Sequence, residues 1–275
     1  MPELEVEHLL SSQSLAVRHV RCAGTCSHRS AEECASATHL VFPYRGVYVR
    51  HVGRQQAIAD ANHVLFFNAT EGYRVSHPLR GGDRSLVVQL SEDLLRELAP
   101  AQMLTSSGAW RFARQHQRID AEAQALVMLL HHRLANGTLD GLAAETLSLA
   151  LISRSLGPRM PHEPRATPAR RRLVDRVKLL LVGDLSRRWR LAEIGAEIGS
   201  SPVYLTQLFQ QIEGLPLYRY HLRLRLARAL ELVPHHEDLT ALALELGFSS
   251  HAHFTSTFRQ VYGRTPSQFK RVASR

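Results

Sequence analysis

The chain has 275 residues, 44% hydrophobic and 21% charged, which excludes a disordered chain and provides for two domains of ordinary size. Its net charge of +9 is unevenly placed: residues 1–167 carry 17 Arg and no Lys against 16 acidic residues, a net of +1, whereas residues 168–275 carry 17 basic against 9 acidic residues, a net of +8. A basic segment beside a near-neutral one predicts a polyanion-binding module joined to a domain with a less charged partner, and no apolar run approaches the roughly 18 residues of a membrane span.

The first residues, Met1-Pro-Glu-Leu-Glu-Val-Glu7, are acidic where a secretory signal is basic and then apolar, so a cytoplasmic location is expected. From Leu15 to Leu90 short β-branched and aromatic runs (Leu15–Arg21, His39–Phe42, Gly46–Val52, His63–Phe67, Ser85–Leu90) alternate with turn signals such as Pro43, Gly53, Asn68 and Gly81-Gly82-Asp83. This spacing predicts a small β-barrel or sandwich. Within it Cys22, Cys26, His28 and Cys34 lie close in sequence, but lack the paired spacing of a zinc site and read as incidental; no metal or cofactor is expected. Arg45, Arg50, His51, Arg54, Arg74 and His77 are candidates to line a pocket for an anion, although strand residues of these types are more often solvated.

After Ile119 the period becomes helical. Leu126, Leu129, Leu130 and Leu134, then Leu147, Ala150, Leu151 and Leu156, define two amphipathic helices over Ile119–Asn136 and Asp140–Leu156. They are expected to form a subunit interface or to cap the strands, and His131-His132 is expected at the surface or in an interface. Prolines at 158, 161, 164 and 168 mark a linker over 157–168. The expected division is therefore 1–156, 157–168 and 169–275.

The last segment contains one unit twice. Leu191–Gly199 resembles Leu239–Gly247 at an offset of 48, and Phe209, Gly214 and Tyr220 correspond to Phe258, Gly263 and Phe269 at an offset of 49. Each unit reads as a helix ending at glycine, a short turn, and a second helix opened by serine (Ser200-Ser201-Pro202, Ser249-Ser250), which is the anatomy of a helix-turn-helix. Leu205, Leu208, Phe209 and Ile212 share one face of the first unit's second helix, leaving Val203, Thr206, Gln207 and Gln210 outward. In the second unit Phe254, Phe258, Val261 and Tyr262 are the buried set, and His251, Ala252, Thr255, Ser256 and Arg259 face outward. Such acid-poor faces suit a major groove, where Gln reads adenine and Val or Thr methyls meet the thymine methyl.

The stretch Gly247–Arg271, Gly-Phe-Ser-Ser-His-Ala-His-Phe-Thr-Ser-Thr-Phe-Arg-Gln-Val-Tyr-Gly-Arg-Thr-Pro-Ser-Gln-Phe-Lys-Arg, resembles the C-terminal signature of the AraC/XylS family of transcription regulators. Ile194–Val233, with Arg223-Leu-Arg-Leu-Ala-Arg-Ala-Leu230, resembles that family's first helix-turn-helix and linker helix. The resemblance implies an α+β two-domain protein: an N-terminal cupin-like β-barrel followed by helices, and a C-terminal all-α domain with two helix-turn-helix motifs. By position it places base contacts on Ser201, Val203, Thr206 and Gln207, then on His251, Ala252, Thr255 and Ser256, with Gln210 and Arg259 beside them. Where many members carry Arg this chain has Gln207, a departure that bears on guanine reading. It further implies promoter DNA, RNA polymerase, a small-molecule effector and a second copy of the chain as partners, and an activator that is not an enzyme. A cupin-type enzyme with a basic appendage is the alternative, and a sequence-indifferent nucleic-acid packer a third class.

Overall fold

The structure is a computed structural model that describes residues 4–25, 27–106, 110–157 and 166–274. The described residues form two compact units, one taking in the chain through 157 together with 267–274, the other running from 166 to 266. Cys26 and most of the proline-rich stretch read as a linker, 158–165, lie outside the described residues.

The first unit is built from β1 (Leu4–Ser11), β2 (Leu15–Cys22), β3 (Glu33–Cys34), β4 (His39–Gly46), β5 (Tyr48–Val52), β6 (Gln55–Ala59), β7 (His63–Phe67), β8 (Gly72–Ser76) and β9 (Asp83–Leu90). Then come α1 (Glu92–Leu98), β10 (Leu104–Ser106), β11 (Trp110–Phe112), β12 (His116–Arg118), α2 (Ala121–Ala135) and α3 (Gly141–Leu156). The strands form a six-stranded sheet, β1-β2-β9-β4-β7-β12, a four-stranded sheet, β3-β8-β5-β6, and the hairpin β10-β11. The five sequence-read strands are all present. Of the others, β1 alternates Leu4 and Val6 with Glu5 and Glu7, and β8 is Gly-Tyr-Arg-Val-Ser.

Strand alternation gives the larger sheet two different faces. On β2, Leu15, Val17 and His19 are buried on one side, while Arg18, Val20 and Cys22 lie on the other. The His19 face is met by α2. There the His19 ring bonds the Tyr44 hydroxyl through Nε2 (2.6 Å) and stands edge-on to His131 at 4.4 Å. The expectation that His131-His132 would be at the surface or in an interface is thus corrected: within the chain itself His132 is buried and His131 packs on His19 and Tyr44, because α2 lies on the sheet. On α2 the buried set is Ala123, Gln124, Val127, Met128, Leu130 and His132, so Leu130 belongs to the chain's own core, while Leu126, Leu129 and Leu134 stay half-buried.

The second unit consists of α4 (Pro168–Gly183), α5 (Leu191–Ile198), α6 (Pro202–Glu213), α7 (Leu217–Leu232), α8 (Leu239–Glu245) and α9 (His251–Tyr262); α10 (Pro266–Ala273) follows. The repeat read from the sequence recurs bond for bond. After α5, Gly199 turns left-handed (φ 72°) and the Ser200 N–H donates to the Gly195 carbonyl at 2.9 Å. After α8, Gly247 does the same (φ 80°) and the Phe248 N–H donates to the Ala243 carbonyl at 2.9 Å, an offset of 48 throughout. Ser201 caps α6 by accepting from Tyr204 N (3.2 Å) and Ser250 caps α9 by accepting from His253 N (3.1 Å), now at an offset of 49. The added residue falls in the turn, and the Ser249 hydroxyl bonds His253 Nδ1 at 2.9 Å. Both second helices end on left-handed glycines, Gly214 (φ 63°) and Gly263 (φ 71°).

Buried aromatics fix the two pairs. Phe209 meets Tyr220 of α7 edge-on at 5.1 Å, and Phe248, Phe254 and Phe258 form a chain of rings with centroids 5.1 and 5.7 Å apart. Between the pairs, Arg225 of α7 donates to the carbonyls of Leu185, Ser186 (3.1 Å) and Arg187 (2.7 Å) in the loop before α5, and to that of Gly247 (3.3 Å) in the turn before α9. One guanidinium with its five fixed donors therefore ties the approach to the first helix-turn-helix to the turn of the second.

Candidate functional site

The helices α6 and α9 expose what the sequence assigned outward. Val203, Gln207 and Gln210 on α6 are exposed and Thr206 is half-buried; on α9, His251, Ala252, Ser256 and Arg259 are exposed and Thr255 is half-buried. Ser201 is exposed at the head of α6. Glu213, the single acid on either helix, is buried against Lys178 Nζ at 2.5 Å, so neither face presents a carboxylate to solvent. Exposed Arg187, Arg188 and Arg190 precede α5.

Hydrogen bonding divides these residues further. The Thr206 hydroxyl donates back to the Pro202 carbonyl (2.8 Å), leaving its methyl as the group to offer a base edge; Ser256 donates to His253 O (3.1 Å). Gln207, Gln210 and Arg259 extend from the surface as long polar groups. Sequence reasoning missed Tyr204, which is 40% exposed beside Val203, and it missed His253, also exposed. An aromatic on an amphipathic helix reads as core, and only the rotation set by Leu205, Leu208 and Phe209 turns Tyr204 outward. Conversely, Ile212, Val261 and Tyr262, read as buried, are half-buried, whereas Thr257 is buried.

In the first unit a cavity of about 300 Å³ lies between the two sheets. Its apolar wall includes Val20, Val41, Phe67, Val75 and Val87, and its polar groups include Arg18, His39 and Tyr73. The Arg18 guanidinium reaches Gln89 Oε1 at 3.3 Å, while its Nε is buried with no hydrogen-bond partner. His39 stacks on Phe67 at 4.9 Å and bonds the Ala37 carbonyl through Nδ1 (2.8 Å); burial pushes its pKa down to about 4, so it is a neutral imidazole at pH 7. Burial, reinforced by Glu33, pushes the Tyr73 hydroxyl well above its ordinary range.

Most residues proposed from sequence for an anion pocket stand elsewhere. Arg50 is completely buried, paired to Glu71 (2.8 Å), bonded to the Phe66 carbonyl (2.6 Å) and stacked on Phe67 at 3.8 Å; it is a core cross-link. His51 bonds Ser76 (2.9 Å), Arg54 and Arg74 are exposed, and of that set His77 alone lines the cavity between the sheets.

Two helix-turn-helix units with acid-free outer faces define a nucleic-acid-binding class of domain. Residues 194–272 match the family model described as "Helix-turn-helix domain". The chain is 28% identical over 152 residues to the HTH-type transcriptional activator RhaR of Klebsiella pneumoniae, covering 54% of each chain. It is 26% identical over 212 residues to the probable transcriptional regulator LumQ of Photobacterium leiognathi, covering 72% of this chain and 78% of that one. Among solved structures, a Chromobacterium violaceum transcriptional regulator described by its AraC-type DNA-binding domain is 26% identical, with a TM-score of 0.37, covering 40% of this chain and 98% of that one. The C-terminal part of this protein is an AraC-type helix-turn-helix domain. The match to RhaR spans about half of that relative's length. No helix among the described residues is long and apolar enough to cross a membrane.

Proposed function

We propose that the protein is a sequence-specific DNA-binding transcription regulator, an activator that works as a dimer, with residues 169–275 as its DNA-binding region. The observation that carries this reading is the pair of exposed, acid-free faces on α6 and α9 within the basic half of the chain. In this reading Gln207 and Gln210 hydrogen-bond base edges, Val203 and the Thr206 methyl touch thymine methyls, and His251, Ala252, Thr255 and Ser256 read a second groove segment while Arg259 holds phosphate. Ser201 contributes as the cap that aims α6.

The first unit, a cupin-like domain in this reading, takes a small organic anion between its sheets. Arg18 supplies the charge and the apolar wall the burial, while neutral His39 offers directional hydrogen bonding. The effector acts only by its differential affinity for two states of the protein, and the regulated complex includes RNA polymerase at a promoter.

Selection of bound fragments from the source genome by the full chain, followed by footprinting, tests the central reading. An asymmetric site covering two adjacent major-groove segments per monomer is expected, and Gln207→Ala or Thr255→Ala should cost about 1 to 3 kcal/mol at particular bases. Equal affinity for all fragments would leave a nucleic-acid packer instead. Thermal shifts across a panel of metabolites, compared between the parent chain and Arg18→Gln, test the effector site; an anion that stabilises both equally does not bind at Arg18.

A further inference from the structure

Among the described residues, Cys22, His77 and Asp83 bring a thiol, an imidazole and a carboxylate to one place, their donor atoms all within 4.8 Å of one another. The sequence grouped Cys22 with Cys26, His28 and Cys34; Cys34 lines the same cavity, and Cys26 lies outside the described residues. Cys22 ends β2 and Asp83 opens β9, and the two are direct partners in the antiparallel register, so their side chains share a face. His77 follows β8 and its Nε2 stands 2.8 Å from Asp83 Oδ1. His77 and Asp83 are buried, Cys22 is half-buried, and all three line the cavity between the sheets.

The backbone around them is held tightly. Gly82 is left-handed (φ 64°), and a Cβ there would stand 1.9 Å from the carbonyl oxygen of Cys22. The segments carrying Cys22 and Asp83 therefore meet at a separation only glycine permits, and the ligand-bearing residues are fixed before anything binds.

We propose that Cys22, His77 and Asp83 form a site for a divalent transition cation of the zinc class, with a fourth coordination position open to the cavity. In a tetrahedral site with bonds of about 2.0 to 2.3 Å, donor atoms are separated by roughly 3.3 to 3.8 Å, between the closest pair and the widest limit found here, so small side-chain rotations close the shell. The charges balance. The Cys22 thiol releases its proton to solvent on binding, His77 binds as neutral imidazole, and thiolate and carboxylate together neutralise the dication, which suits a buried setting. The thiolate selects zinc-like cations over magnesium or calcium. The inference does not depend on how α6 and α9 read DNA.

The test uses the full chain, reduced and stripped with a chelator. Titration with Zn²⁺ against a chromophoric competitor is expected to give one tight site, and Co²⁺ in place of Zn²⁺ a thiolate-to-cobalt charge-transfer band. Cys22→Ser should abolish that band and lower Zn²⁺ affinity by at least about tenfold, His77→Gln should weaken binding comparably, and Cys26→Ser with Cys34→Ser should leave both readouts unchanged. Absence of the cobalt band, or a loss that follows Cys26 or Cys34 instead of Cys22, overturns the proposal. Should Cys22→Ser fail to fold, alkylation of the parent chain decides: Zn²⁺ is expected to protect Cys22 but not exposed Cys34, and equal labelling with and without metal refutes the site.

Discussion

Gly199 and Gly247 occupy equivalent turns with nearly the same left-handed backbone, yet differ in what surrounds them. An added Cβ at Gly199 meets nothing within 4 Å, whereas one at Gly247 would stand 2.1 Å from the Ser186 carbonyl oxygen. Gly199→Ala should therefore cost only the backbone penalty, about 1 kcal/mol, and Gly247→Ala at least about twice that, because the loop carrying Ser186 must also move. Urea denaturation of the two variants measures the difference; equal costs would mean the loop yields freely. The sequence made both glycines legible as helix ends, since each stands between a helical period and a serine. The close approach at Gly247 was not legible, because the carbonyl involved lies about sixty residues away along the chain.

At the scale of elements, α2 separates two uses of one leucine stripe. Leu130 is fully buried inside the chain, while Leu126 on the same helix is half-buried. Leu130→Asp places a charge in the core and should unfold the first unit, whereas Leu126→Asp should keep the fold and, if α2 forms the seam of the proposed dimer, yield a monomer. Circular dichroism with light scattering distinguishes these outcomes; a folded dimer of Leu126→Asp places the seam elsewhere. The helical elements were legible because their apolar period and their Gly and Ser punctuation agree. The cavity was not, because strand parity is unreadable where both faces are covered: on β5, Tyr48, Val49, Arg50 and His51 are consecutive and all buried. Arg50 therefore resembled a pocket residue in sequence, and Arg18, within an ordinary alternating strand, did not.

For the molecule as a whole, charge and protonation set the conditions of operation. Since residues 168–275 carry 17 basic against 9 acidic residues, log K for DNA should fall linearly with log salt as counterions are released from contacted phosphates, with a slope of about −0.9 per phosphate contacted. Arg259→Ala should reduce that slope by about one while weakening all sequences alike; a change confined to one base pair would make Arg259 a base reader. Acid should also destabilise the second unit. His221, on α7, has its pKa pushed down to about 4 by burial and by the neighbouring Arg225 guanidinium, and its Nε2 is buried with no hydrogen-bond partner. The unfolded chain takes up a proton near pH 6.5 that the folded chain accepts only near 4. Stability is therefore complete above about pH 6.5 and is lost as pH falls toward 4, by up to about 3 kcal/mol. Melting curves between pH 7.5 and 4 should show this decline in the parent chain and a shallower one in His221→Gln.

The guanidinium of Arg225, bound to carbonyls of the loop before α5 and of the turn before α9, would make the proposed DNA-binding region a ruler. With the loop before α5 and the turn before α9 tied to one side chain, α6 and α9, where they read DNA as proposed, should not slide independently along a duplex. Inserting one base pair between the two segments read by a monomer displaces the second by about 3.4 Å and rotates it by about 34°, and only bending or twisting of the DNA could absorb that mismatch. Target sites should accordingly keep a constant spacer length while tolerating variation in the spacer's own bases, and Arg225→Ala, where it still folds, should relax the phasing before it alters the letters that are read.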